Sequence, residues 1–127
     1  MSKLVLVVDD QAQIVRLIQV NLQKEGFEVQ TAADGVEAMK RVRERKPDLI
    51  ILDVIMPHKD GFEVLREIKE DEGLCDIPII MLTVKTQNAD IMHGLQEGAE
   101  LYLPKPFHPK ELVVLVRRVL AGDVVEI

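Results

Sequence analysis

The sequence predicts an α/β fold built on a parallel sheet of five strands. Three observations carry this. Five short apolar runs recur along the chain, segments of helical spacing separate them, and a glycine or proline closes most of those segments. Short, nearly continuous apolar runs suit strands covered by helices on both faces, and strict β-α alternation suits right-handed crossovers between parallel strands.

The runs are Leu4–Val8, Phe27–Val29, Leu49–Leu52, Ile79–Leu82 and Leu101–Leu103. After the first, Ile14, Leu17, Ile18 and Leu22 recur at steps of three and four, and Gly26 stops the helix. Val36, Met39 and Val42 form the second stripe, closed by Pro47. Phe62, Leu65 and Ile68 form the third. Ile91 and Leu95 form the fourth, before Gly98. Leu112, Val116, Val119 and Leu120 form the fifth, before Gly122. One domain is expected over residues 1–121, with 122–127 a tail or the start of a linker.

Composition narrows the function. The 127 residues are 47% hydrophobic and 30% charged, with 22 acidic against 16 basic side chains. A net charge of −6 and 3% aromatics disfavour a nucleic-acid surface, which needs a basic stripe or stacking rings. The single cysteine, Cys75, forms no internal disulfide, which favours a cytoplasmic protein. The apolar runs are far shorter than the ~20 residues of a membrane span, so no membrane partner is expected.

In an open parallel sheet, ligands bind beyond the carboxyl ends of the strands. The residues there are Asp9 and Asp10, Asp53, Thr83, and Pro104-Lys105-Pro106. Two carboxylates about 4 Å apart repel by roughly 4 kcal/mol at an effective dielectric of about 20, so a cluster of three calls for a cation. Carboxylate oxygens without His or Cys suit Mg²⁺ and disfavour zinc or copper. Asp53 ends the third run and is the nucleophile candidate. A metal and the Lys105 ammonium facing it would stabilise a phosphoryl group on that carboxylate, and Thr83 would donate a hydrogen bond to it.

Each position also has an ordinary structural reading. Strand-end Asp residues cap helices or form turns, and Asp34-Gly35 and Asp60-Gly61 read as turn signals. Those readings account for each residue singly, not for the convergence of the set. His58 and His93 read as solvated, His108 as a turn or cap residue, and Cys75 as a packed or idle thiol. Met56, Met81 and Met92 read as packing.

The segments LVLVVDDQ (4–11), LIILDVIMPHKDG (49–61), PIIMLTVK (78–85) and GAELYLPKPF (98–107) resemble the receiver domain of two-component response regulators. The resemblance runs from Leu4 to about Leu120. It implies a flavodoxin-like (βα)5 sheet with strand order 2-1-3-4-5. It implies that Asp53 accepts a phosphoryl group from a sensor histidine kinase or phosphotransfer protein. It makes Asp9, Asp10, Asp53 and the Ile55 carbonyl the Mg²⁺ ligands. Lys105 is then the partner of Asp53 and the phosphoryl group, Thr83 the switch hydroxyl, and Tyr102 the aromatic that turns inward. It also implies a cis peptide at Lys105–Pro106 and slow autodephosphorylation, with no further enzymatic turnover. The output is a downstream protein effector or a covalently linked domain. The chain is then a stand-alone receiver or the N-terminal domain of a transcriptional regulator, with no nucleic acid bound by this domain itself.

The chain departs from that family in places. Val84 stands where Ala or Gly is common, and Pro104 stands where Thr is common, which an edge strand tolerates. KPFHPKEL (105–112) resembles the branch whose receivers dimerise, and Glu111 fits, but Ile91 and Leu115 replace basic residues of that dimer. A monomer or a phosphorylation-dependent dimer follows. Two enzyme-like or carrier readings compete. A haloacid-dehalogenase-type phosphatase needs a second Asp where Ile55 stands. A flavin carrier needs a Ser/Thr/Gly-rich phosphate loop, where Asp9-Asp10-Gln11 would repel phosphate. A receiver-like interaction module without chemistry would lack the set Asp9, Asp10, Asp53, Thr83 and Lys105.

Overall fold

The computed structural model describes residues 2–84 and 98–122. Among these, five parallel strands form one sheet in the order β2-β1-β3-β4-β5. The strands are β1 Leu4–Val8, β2 Glu28–Ala32, β3 Leu49–Asp53, β4 Ile79–Thr83 and β5 Leu101–Pro104. The helices are α1 Ala12–Lys24, α2 Gly35–Glu44, α3 Gly61–Glu70 and α4 Pro109–Leu120. The stripe containing Ile91 and Leu95 lies outside the described residues, as do Met92, His93 and the tail from residue 123.

Side-chain alternation divides the core into two layers. Leu6, Val8, Ile50, Leu52, Ile79, Met81 and Tyr102 pack under α2 and α3. Val5, Val7, Leu49, Ile51, Ile80, Leu82, Leu101 and Leu103 pack under α1 and α4. Strands β1, β3 and β4 are buried throughout because both faces are covered.

The second strand departs from the apolar-run expectation. It covers Glu28–Ala32 and buries only Ala32, because it is an edge strand with a single neighbour. Phe27 precedes it and packs instead on the α1/α4 layer, with the Arg117 guanidinium 5.8 Å from its ring centre. Val36 is also misplaced by the stripe reading. It is 60% exposed, and the buried line of α2 runs through Gly35, Ala38, Met39 and Val42. Leu17 of α1 likewise faces outward, whereas Ile18 and Leu22 are buried.

The two Asp-Gly pairs are helix starts. Asp34 accepts the Glu37 amide at 2.8 Å and Asp60 accepts the Glu63 amide at 2.9 Å, each capping one helix. His108 caps α4, its Nδ1 accepting the Lys110 amide at 3.1 Å, with Pro109 next in the first turn. Cys75 is exposed, its thiol 3.7 Å from the Glu72 carbonyl.

Candidate functional site

The parallel strands end together, so their following residues share one edge. The ladders run slightly past the strands. Asp9 N–H donates to Ala32 at 3.2 Å, Val54 N–H to Leu82 at 3.0 Å, and Lys105 N–H to Thr83 at 2.7 Å. Asp9, Asp53 and Lys105 continue the alternation of Val7, Ile51 and Leu103, so all three lean to the α1/α4 side. Thr83 continues the other line, after Ile79 and Met81.

Asp9 and Asp53 are buried carboxylates, 1% and 5% exposed, and Asp10 is exposed. One oxygen from each of the three lies within 4.8 Å of the others. Asp9 is held on both sides: its Oδ1 accepts the Gln11 amide at 2.9 Å and its Oδ2 accepts Lys105 Nζ at 2.7 Å. The ammonium also stands 3.5 Å from Asp53 Oδ1 and 3.4 Å from Gln11 Oε1. The resemblance made Lys105 the partner of Asp53; in the structure it spans both acids and lies nearer Asp9.

Burial pushes the Asp53 carboxyl up to about 6, and the neighbouring Asp9 charge pushes the same way. Lys105 and the Ile55 backbone amide, which donates to the Asp53 carboxylate, oppose the rise. A buried carboxylate whose charge remains under-compensated beside two other acids is a site that a cation relieves. The donors are carboxylate oxygens, one exposed and two buried, the set that suits a small hard divalent ion retaining some water. The residues present therefore fit Mg²⁺. The Ile55 side chain is 49% exposed.

Thr83 is fully buried, and Tyr102 is 1% exposed. β4 and β5 pair Met81 with Tyr102 and Thr83 with Pro104, so Thr83 and Tyr102 are diagonal neighbours on one face. The aromatic side chain occupies the inward position. The Lys105–Pro106 peptide is cis. Beyond Lys105, an open cavity of about 340 Å³ is lined by Gln11, Ile14, Leu17, Val84, Pro106 and Phe107.

Gly61 and Gly35 belong to the site's support and were legible only as turn signals. Gly61 N–H donates to the Val54 carbonyl at 2.8 Å, which folds the β3–α3 loop back onto β3. A Cβ at Gly35 would stand 2.5 Å from the Lys59 carbonyl oxygen in that loop.

The sequence of residues 5–117 matches the response regulator receiver domain. The chain is 45% identical over 120 residues to the alkaline phosphatase synthesis transcriptional regulatory protein PhoP of Bacillus subtilis, covering 94% of this chain and 49% of that protein. It is 44% identical over 117 residues to the DNA-binding response regulator MtrA of Mycobacterium tuberculosis, covering 92% and 50%. The chain thus spans about half the length of these curated relatives. Among solved structures, the chemotaxis protein CheY4 of Vibrio cholerae superposes with a TM-score of 0.89 at 38% identity, covering 94% of this chain and 99% of that one. The BeF3-activated DrrB receiver domain superposes at 0.86 with 30% identity, covering 95% and 99%. Sheet order, sequence match and structural likeness agree, and the chain belongs to the response regulator receiver domain family.

Proposed function

We propose that the chain is a phosphorylatable signalling switch whose acceptor is Asp53. The observation that carries this reading is the buried Asp53 carboxylate, flanked by Asp9 and faced by Lys105. A carboxyl held at about 6 is still mostly ionised at neutral pH, so the nucleophile is available. The partner is a sensor histidine kinase or phosphotransfer protein carrying phosphohistidine. The Asp53 oxygen bonds to phosphorus while the phosphorus–nitrogen bond breaks, and the imidazole leaves with the bonding pair.

Asp9, Asp10, Asp53 and the Ile55 carbonyl would hold Mg²⁺, which supplies positive charge to the phosphoryl oxygens. Lys105 supplies a second positive charge from the α1/α4 side. Thr83 donates to a phosphoryl oxygen from the other side of the strand ends. Moving Thr83 shifts the packing at Tyr102, its diagonal neighbour, and so biases a two-state surface. Water later hydrolyses the acyl phosphate slowly. In this reading the chain is a phosphoacceptor and not an enzyme acting on a separate product.

Output passes to a protein effector or to a linked domain. The chain matches about half the length of the relatives named as a transcriptional regulator and a DNA-binding response regulator, which supports a role as the regulatory part of such a protein. This domain itself binds no nucleic acid in this reading; any such binding belongs to the output part.

The test is labelling with acetyl phosphate and Mg²⁺, followed by mass spectrometry. The expected product is a base-labile acyl phosphate on Asp53. Undiminished Mg²⁺-dependent labelling of Asp53→Ala overturns the reading.

A further inference from the structure

The β3–α3 loop, residues 54–60, carries the backbone that touches Asp53. Its ends are tied by Gly61 N–H to the Val54 carbonyl at 2.8 Å and by Val54 N–H to Leu82 at 3.0 Å, and within it Lys59 N–H donates to Pro57 at 2.8 Å. His58 within it has φ 70°, in the left-handed region that non-glycine residues rarely adopt. Such a conformation persists only where the surroundings hold it.

One side-chain anchor stands out. The Lys59 ammonium is ion-paired to Glu67 on α3, and the two side chains are only 25% and 32% exposed. Glu67 uses its other oxygen to accept Arg43 Nη2 of α2 at 3.1 Å. The two cations hold the Glu67 carboxyl below the usual carboxylate range, Lys59 most strongly. The Lys59 backbone is confined as well, because Gly35 at the start of α2 lies against its carbonyl and Cβ. Loop, α2 and α3 therefore meet at Lys59, four residues from Ile55.

We propose that Glu67 is a positioning residue for the phosphorylation site, acting through Lys59. By fixing the loop it fixes Ile55 against the Asp53 carboxylate, and so sets how tightly the acid cluster holds Mg²⁺. This rests on the site reading above. Residues that orient a metal's ligands commonly tune its affinity although they never touch it. Glu67 reaches the site through one more residue and a stretch of backbone, so its effect is the smaller one.

The test compares the wild type with Glu67→Gln, Lys59→Met, their double variant and Arg43→Ala. Two quantities are read: the Mg²⁺ dissociation constant by calorimetry, and hydrogen exchange of the Ile55 amide in metal-free protein. Glu67→Gln and Lys59→Met are each expected to weaken Mg²⁺ by about three- to tenfold and to speed Ile55 exchange by a similar factor. The double variant should lose no more than the worse single, because both remove one interaction. Arg43→Ala leaves the Lys59 pair intact and should change neither quantity by more than about twofold. Should Glu67→Gln fail to fold, Lys59→Met carries the comparison. Lower melting temperatures with unchanged Mg²⁺ affinity and Ile55 exchange overturn the proposal, as do losses that add in the double variant. A wild type that binds no Mg²⁺, with Ile55 exchange still faster in the variants, overturns the site reading and leaves the clamp standing.

Discussion

The backbone of Gly61 lies directly against the backbone of Asp53. A Cβ on Gly61 would stand 2.8 Å from Val54 Cα and 3.0 Å from the Asp53 carbonyl carbon, with the Asp53 carbonyl oxygen closer still. The obstacle is backbone in a buried strand, which cannot swing aside as a side chain can. The start of α3 is therefore seated on the residue that carries the site's central carboxylate.

Gly61→Ala is accordingly expected to cost about 2–3 kcal/mol, at the upper end for overpacking, because relief requires moving β3 or α3. Urea denaturation measures it. The same variant should be labelled at Asp53 more slowly than wild type. A stability loss below about 0.5 kcal/mol, the range of an ordinary surface change, contradicts the close-approach account.

The Asp53 carboxyl sits at about 6, above its ordinary 3.8, so the folded state resists its ionisation. Folding gives up no stability at this group below the ordinary value, loses it progressively as pH rises through the interval, and bears the full penalty above about 6. Asp53→Asn removes the penalty. In metal-free buffer it should be more stable than wild type by about 1–2 kcal/mol at pH 7–8, with the gain vanishing near pH 4. Mg²⁺ should stabilise the wild type more than the variant. Denaturation curves across that pH range decide it, and an equal gain at pH 4 and pH 8 would exclude charge as the cause.

The legible and illegible parts of the molecule separate on physical grounds. Asp9, Asp53 and Lys105 could be placed together because each directly follows an apolar run, and parallel strands bring those ends to one edge. The second strand was blurred because an edge strand needs no apolar face, and Glu28–Ala32 has little. Val36 misled because α2 contains two apolar phases, and small residues at Gly35 and Ala38 take the buried one. Lys59, Glu67 and Gly61 were invisible as site elements. Their meaning lies in contacts between elements, and a charged pair eight residues apart across a loop reads as solvated surface.

Thr83→Ala should separate phosphorylation from response. Thr83 is fully buried at the end of β4 and diagonal to Tyr102 on one face of the β4–β5 pair, so a change at Thr83 is expected to reach the aromatic across that face. Removing the Thr83 methyl and hydroxyl leaves Asp53, Lys105 and the acid cluster in place. Labelling at Asp53 should persist, whereas the NMR shifts of Tyr102 on adding beryllofluoride and Mg²⁺ should shrink to a minor fraction of the wild-type change. A full response in Thr83→Ala contradicts the coupling.

Val84 is expected to govern access to the phosphorylated site. It follows Thr83, is 65% exposed, and lines the cavity that opens beside Lys105 with Ile14, Leu17, Pro106 and Phe107. Ile55, half exposed, stands beside Asp53 on the other loop. Hydrolysis of an acyl phosphate on Asp53 needs a water in line with phosphorus, opposite the Asp53 oxygen. Neither the Val84 nor the Ile55 side chain can offer that water a hydrogen bond. Val84 is also β-branched and stiff at χ1, so it does not clear the approach by changing rotamer. A tenfold change in rate corresponds to only about 1.4 kcal/mol of barrier, within the reach of two methyl groups. Val84→Ala should therefore shorten the phosphorylated lifetime by about three- to tenfold, or up to about 1.4 kcal/mol of barrier, and should speed labelling by small donors such as acetyl phosphate. Because the side chain is mostly solvent-exposed, stability should change by less than about 0.5 kcal/mol, which separates an access effect from unfolding. Decay of the phosphorylated protein at saturating Mg²⁺ measures the lifetime, and equal or slower decay in Val84→Ala removes the role assigned to this residue.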